Sequence, residues 1–111
     1  MGNFPKYQIK RSTNNQYYFV LRAVNIEIIL TSEMYVSKQA CLKGIDSSKR
    51  NLADSNFVRK STSWQFYFTQ VASNGEPIGV SEMYNSVQAC ENGIAAVKRD
   101  APLAGIEDLT I

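Results

Sequence analysis

The residues able to do chemistry are few, and they come in pairs. Glu33 and Tyr35 recur as Glu82 and Tyr84, each within Ser-Glu-Met-Tyr, and Cys41 recurs as Cys90. Two carboxylates facing each other across a cleft could divide general acid and base work, and two thiols could form a redox pair. Histidine is absent, which removes the commonest general base and metal ligand and, with it, Ser-His and Cys-His dyads. Neither a CxxC motif nor a carboxylate cluster at metal-ligand spacing is present. The sequence therefore predicts no catalytic, cofactor-binding or metal-binding residue and a chain that is not an enzyme. In the structural reading, Glu33 and Glu82 sit near helix N-termini, and Tyr35 and Tyr84 pack at a strand-to-helix corner with their hydroxyls in water. Cys41 and Cys90 are then free, buried small hydrophobes.

The pairing extends far beyond these residues. Ser32–Cys41 returns as Ser81–Cys90, and with the offset held at 49 positions a gapless match runs from about Gln8–Asn51 to Phe57–Asp100. Ser12, Thr13, Gln16, Tyr18, Phe19, Gly44, Ile45, Lys49 and Arg50 are among the identities. The chain is a tandem duplication with too few units for a solenoid. At 111 residues it can build one modest core, burying about 65% of its unfolded surface, and not two. One domain over residues 1–111 is expected: repeat 1 at about 6–51, a linker at about 52–56, repeat 2 at about 57–100 and a tail at 101–111.

Each repeat reads strand, strand, strand, helix. Tyr7–Lys10 is a candidate strand followed by a turn cluster at 12–15. Gln16–Ala23 is rich in aromatic and branched residues. Strand period places Tyr17, Phe19, Leu21 and Ala23 on a core face, matched by Phe66, Phe68, Gln70 and Ala72. Asn74-Gly75 is a strong hairpin signal, because both residues tolerate positive φ. Copy one has Asn25-Ile26, so its hairpin either changes turn type or strains Ile26 by about 1 kcal/mol or more. Pro77 cannot donate to a ladder, which points to an edge or a solvent-facing strand end. Ser37 and Ser86 suit helix N-caps. Cys41, Ile45 and Ser48, or Cys90, Ile94 and Val97, then form one apolar stripe per helix. Gly44 and Gly93 inside the helices imply close packing onto the sheet or onto the twin helix. The tail 106–109 aligns with the start of a further strand, a candidate edge.

If both helices cover one sheet face, Tyr18, Val20, Arg22, Tyr67, Thr69 and Val71 lie on the other. Tyrosine and arginine are enriched at protein interfaces, and aromatics beside an arginine also resemble platforms that stack single-stranded nucleic acid. The net charge of +2, from 12 Lys and Arg against 10 Asp and Glu, favours a protein partner, since nucleic-acid affinity depends chiefly on phosphate neutralisation. A monomer that binds a protein is the expectation, with weak single-stranded nucleic-acid binding as the alternative. No run approaches the roughly 18 apolar residues of a membrane span, and Met1–Lys10 lacks the apolar stretch of a signal peptide. A cytoplasmic location without membrane contact is expected.

The ordered set Asn-Gly-Glu, Ile, Ser-Glu-Met-Tyr, Ser, Gly-Ile and Lys, found at matching spacing in both copies from Tyr7 to Ala101 except for Ile26 in the first, resembles the YegP-like family, also called UPF0339 or DUF1508, of small bacterial proteins. The resemblance implies two β3-α motifs and no established activity. Ile26, where that family has glycine, departs from it. The expected fold is α+β: a tandem β3-α duplication, pseudo-twofold symmetric, with an antiparallel sheet and two helices on one face.

Overall fold

The computed structural model describes residues 4–111, so residues 1–3 of the expected domain lie outside the described residues. The strands are β1 (Lys6–Arg11), β2 (Tyr17–Arg22), β3 (Ile28–Ser32), β4 (Phe57–Ser61), β5 (Phe66–Val71), β6 (Pro77–Val80) and β7 (Gly105–Asp108). The helices are α1 (Lys38–Arg50) and α2 (Val87–Asp100). All seven strands join one open sheet in the order β4-β5-β6-β3-β2-β1-β7. The fold is α+β, a doubled β3-α unit with both helices on one face, and their buried residues share a single hydrophobic cluster with Phe19, Leu21, Phe68 and Ile78.

The two units meet where β3 pairs with β6. Thr31 lies opposite Val80, and these are the same position of the repeat, so the pseudo-twofold axis passes between them. Beside the axis the symmetry must break. Leu30 is fully buried, and a Cβ added to its counterpart Gly79 would stand 3.1 Å from Leu30 Cγ and 2.8 Å from the Thr31 carbonyl oxygen. Only one of the two positions has room for a side chain.

The gapless alignment needs one correction. Tyr7 pairs with Leu21 in the first unit and Phe57 with Gln70 in the second, so the first strands correspond at an offset of 50 while the rest hold 49. The extra residue lies in the first hairpin loop, 12–16 against 62–65, and Asn15 absorbs it at φ 65°. Asparagine tolerates this region because its short polar side chain bonds locally.

In the second hairpin of each unit the turn type is conserved and strain is the outcome. Gly75 has φ 86° and Ile26 has φ 67°. Arg22 Nη1 donates to the Ile26 carbonyl at 2.8 Å and braces the strained turn. Pro77 is the exposed first residue of β6, a strand interior to the sheet, so its missing N–H falls at a strand end and not along an edge. The tail is ordered as β7 at the sheet edge, but it pairs parallel to β1, and the sheet is not wholly antiparallel. The return from α2 at this end brings the chain in along β1's own direction.

Both helices start as the sequence indicates. Ser37 and Ser86 accept from the Ala40 and Ala89 N–H groups at 3.1 and 3.0 Å, each bond satisfying one otherwise orphaned donor. Gly44 and Gly93 are needed for a contact different from the one expected. A Cβ at Gly44 would meet the Tyr35 ring, 2.6 Å from Cζ, and at Gly93 the Tyr84 ring, 2.8 Å from Cζ. The missing side chain receives the tyrosine of Ser-Glu-Met-Tyr, not the sheet or the twin helix.

One buried polar chain crosses between the units. The Tyr7 hydroxyl bonds Ser48 Oγ at 2.8 Å, Ser48 Oγ donates to Gln70 Oε1 at 2.8 Å, and Gln70 Nε2 donates to the Ser48 and Asn51 carbonyls at 2.9 and 2.8 Å. Burial pushes the Tyr7 hydroxyl up to about 12 despite its bond to Ser48. The equivalent positions on the other side hold Phe57, Val97 and Leu21, all apolar and buried.

Candidate functional site

The helices cover one face of the sheet, and among the described residues no element covers the other. Register builds that open face row by row. Val58, Thr69, Val80, Thr31, Val20, Gln8 and Glu107 stand side by side across all seven strands. Five are β-branched, a type that suits a pleated surface. On either side of the axis, Lys10 pairs with Tyr18 and Lys60 with Tyr67. These two tyrosine–lysine couples are equivalent positions of the repeat.

The residues singled out from the sequence fall here unequally. Tyr18, Arg22, Tyr67, Thr69 and Val71 are part-exposed on the open face. Val20 points the same way but is only 3% exposed, because Gln8 and Thr31 close over it from the neighbouring strands. Arg22 is not free to stack: its Nε donates to Gln8 Oε1 at 2.6 Å and its Nη1 to Ile26 O. Gln8 Nε2 passes the chain on to Glu107 Oε1 at 2.7 Å, and Lys6 approaches the same carboxylate at 3.7 Å. Gln8, and then Lys6, hold Glu107 below the usual carboxylate range. Lys10 and Lys60 form no ion pair among the described residues, so they carry the free positive charge of this face. The sequence reading missed Lys10, Lys60, Val58, Thr31 and Val80 as members, since they join the face only through register.

The duplicated Ser-Glu-Met-Tyr segment forms the strand-to-helix corner. Tyr35 exchanges both backbone hydrogen bonds with Tyr17, at 2.8 and 2.7 Å, and Tyr84 does so with Phe66 at 2.8 Å each. The Tyr35 ring stacks on Phe19, with centroids 6.4 Å apart. Burial first, then the neighbouring Cys41 and Glu33, raises the Tyr35 hydroxyl above its ordinary value; burial, Cys90, Glu82 and Glu27 do the same for Tyr84. These half-buried hydroxyls differ from the water-exposed ones expected. Glu33 and Glu82 are exposed, and neither forms an ion pair among the described residues. Cys41 and Cys90 are free and buried. Burial, then Asp108, pushes the Cys41 thiol up to about 11, which keeps it protonated and unreactive at neutral pH. Among the described residues no three His, Cys, Asp or Glu side chains gather as a metal site, and no helix is long and apolar enough to cross a membrane.

Fold and face together define a duplicated β3-α sheet protein with one bare sheet surface. The family description "Domain of unknown function (DUF1508)" matches residues 12–58 and again 61–108, and the chain belongs to that family. Among curated relatives, the UPF0339 protein plu2779 of Photorhabdus laumondii is 56% identical over 52 residues, 46% of each chain. The UPF0339 protein YegP of Escherichia coli K12 is 49% identical over 45 residues, 40% of this chain and 41% of that one. The matched segments thus span less than half the length of these relatives. Two solution NMR structures share the fold along nearly the whole chain. The UPF0339 protein SO3888 of Shewanella oneidensis has TM-score 0.89 at 36% identity, covering 95% of this chain and 91% of that one. YegP of E. coli, titled a protein of unknown function, has TM-score 0.89 at 38% identity, covering 98% and 96%.

Proposed function

We propose that this chain is a non-enzymatic, cytoplasmic interaction module, monomeric by itself, whose open sheet face docks a protein partner. The observation that carries the reading is the β-branched row Val58-Thr69-Val80-Thr31-Val20, bare of any covering element and flanked on both sides by a tyrosine–lysine couple. Aromatic anchors around an apolar centre are the usual energetic core of a protein interface. Lys10 and Lys60 select the partner by charge: it presents an apolar surface flanked by carboxylates, which steer encounter and fix register.

Nucleic acid fits less well, because Arg22 and Lys6 are already engaged within the protein and two free lysines neutralise few phosphates. Affinity capture from bacterial lysate tests the proposal, using the wild type, Tyr18→Ala/Tyr67→Ala, Lys10→Glu/Lys60→Glu and the helix-face control Lys43→Glu. The expected result is a protein retained by the wild type and the control, lost by both open-face variants and weakened by salt. Equal capture by all four refutes the reading. So does single-stranded DNA or RNA binding below about 10 µM with a steep salt dependence.

A further inference from the structure

The two units serve as internal controls for each other, and one place where they differ is where β3 and β6 part company. On one side of the axis the Glu33 N–H donates to the Ile78 carbonyl at 3.1 Å and extends the zipper. On the other side, the equivalent Glu82 N–H makes no such bond to Ile29 among the described residues. The strands separate there, leaving a cleft of about 500 Å³ lined by Arg22, Glu27, Ile28, Ile29, Glu82, Met83 and Tyr84. A second recess of about 250 Å³ shares Glu27, Ile29 and Tyr84 and continues along α2 past Asn92 and Gly93.

Ten of the fourteen residues that line the two recesses are identical in the other unit, so the parting of the strands makes the cleft and a few substitutions modify it. Ile28, Asn92 and Arg22 line it, and the other unit has Pro77, Lys43 and Val71 at those positions. A lysine at the position of Asn92 would bring its own ammonium to this place. The asymmetry extends to the tyrosines. Beside burial and the neighbouring thiol, Glu82 and Glu27 both act on the Tyr84 hydroxyl, whereas Glu33 is the one carboxylate that acts on Tyr35.

Both cations on the walls are held elsewhere. Arg22 is engaged by Gln8 and the Ile26 carbonyl, and Arg99 is bidentate on the buried Asp100 at 2.8 and 2.9 Å. What remains for a ligand is an apolar wall of Ile28, Ile29 and Met83, the ring of Tyr84, and two exposed carboxylates, Glu82 and Glu27, the latter with one oxygen already accepting from Asn25 Nδ2 at 3.1 Å. Carboxylates bind an ammonium through charge-assisted hydrogen bonds, and an aromatic face adds cation–π attraction. We propose that this cleft binds a primary alkylammonium group, its charge between Glu27 and Glu82 and its alkyl chain along Ile28, Ile29 and Met83. The inference does not rest on the sheet-face partner, although Arg22 borders both surfaces.

The test is a titration of the ¹⁵N-labelled chain with 1,5-diaminopentane, with neutral 1,5-pentanediol as control. A parallel arm uses a terminally blocked tripeptide with a central lysine, to tell a free amine from a lysine side chain as the source of the ammonium. Saturable shifts are expected at the amides of Ile29, Met83 and Gly93, with none at the equivalent Gly44. Glu27→Gln/Glu82→Gln changes exposed side chains only and should weaken the binding at least tenfold. Equal shifts at Gly44 and Gly93, equal binding of the diol, or undiminished binding by the double variant would overturn the proposal.

Discussion

Replacing Gln70 by leucine tests how the core tolerates its one polar crossing. Gln70 is fully buried and makes three hydrogen bonds, one from Ser48 Oγ and two to the carbonyls of Ser48 and Asn51. Gln70→Leu alone strands the Ser48 and Asn51 carbonyls and leaves Ser48 Oγ with Tyr7 as its one partner; each buried orphan costs about 1–3 kcal/mol before the gain from burying an apolar side chain. The expected net loss is about 1–3 kcal/mol, a fall in Tm of about 4 °C per kcal/mol. The triple variant Tyr7→Phe/Ser48→Val/Gln70→Leu copies onto this side the residues already present at Phe57, Val97 and Leu21. It removes the two hydroxyls together and leaves the two carbonyls, so it should recover part of the loss. Urea unfolding followed by circular dichroism at constant m-value provides the measurement. If the triple variant is as destabilised as Gln70→Leu, the pseudo-symmetric substitution argument is wrong and the polar chain is itself net stabilising.

Gly93→Ala and Gly44→Ala each drive a Cβ into a tyrosine ring; overpacking of about 1–3 kcal/mol should outweigh the gain of about 1 kcal/mol in helix propensity, and thermal melts report the balance. Gly79→Ala should cost more than either, because the Thr31 carbonyl it meets at 2.8 Å is backbone on the central strand pair and cannot swing aside; a melt above that of Gly93→Ala would contradict this. Ile26→Gly should stabilise by up to about 1 kcal/mol, by relieving a β-branched residue at positive φ; chemical unfolding showing a loss would sink that reading. Lys38, then Thr110, holds Asp108 down to about 2 from its ordinary 3.8. The folded value is the lower one, so the contribution is fully present above about pH 4 and fades as pH falls through about 2. Side-chain carboxyl shifts followed by NMR should titrate there, and Lys38→Met should return Asp108 towards its ordinary value.

Much of this protein is legible in its sequence, because duplication and local chemistry are written residue by residue. The repeat, the strand and helix order, the serine caps, the buried stripes at Cys41-Ile45-Ser48 and Cys90-Ile94-Val97 and the choice at Ile26 between strain and another turn type all depend on near neighbours or on comparing the halves. The open face was legible only as two short lists, Tyr18-Val20-Arg22 and Tyr67-Thr69-Val71. What joins them into one surface is register between strands far apart in the chain, which puts Thr31 against Val80 and brings Lys10 and Lys60 beside the tyrosines. Long-range pairing has no local signal, so burial of Val20, capture of Arg22 by Gln8, the parallel β7 and the insertion of Tyr35 and Tyr84 over the helix glycines were decided only when the sheet assembled. The same holds for the cleft beside Tyr84. Two related sequences meet there across an axis where both cannot be satisfied at once, and which side zips and which side opens is a property of the packed pair.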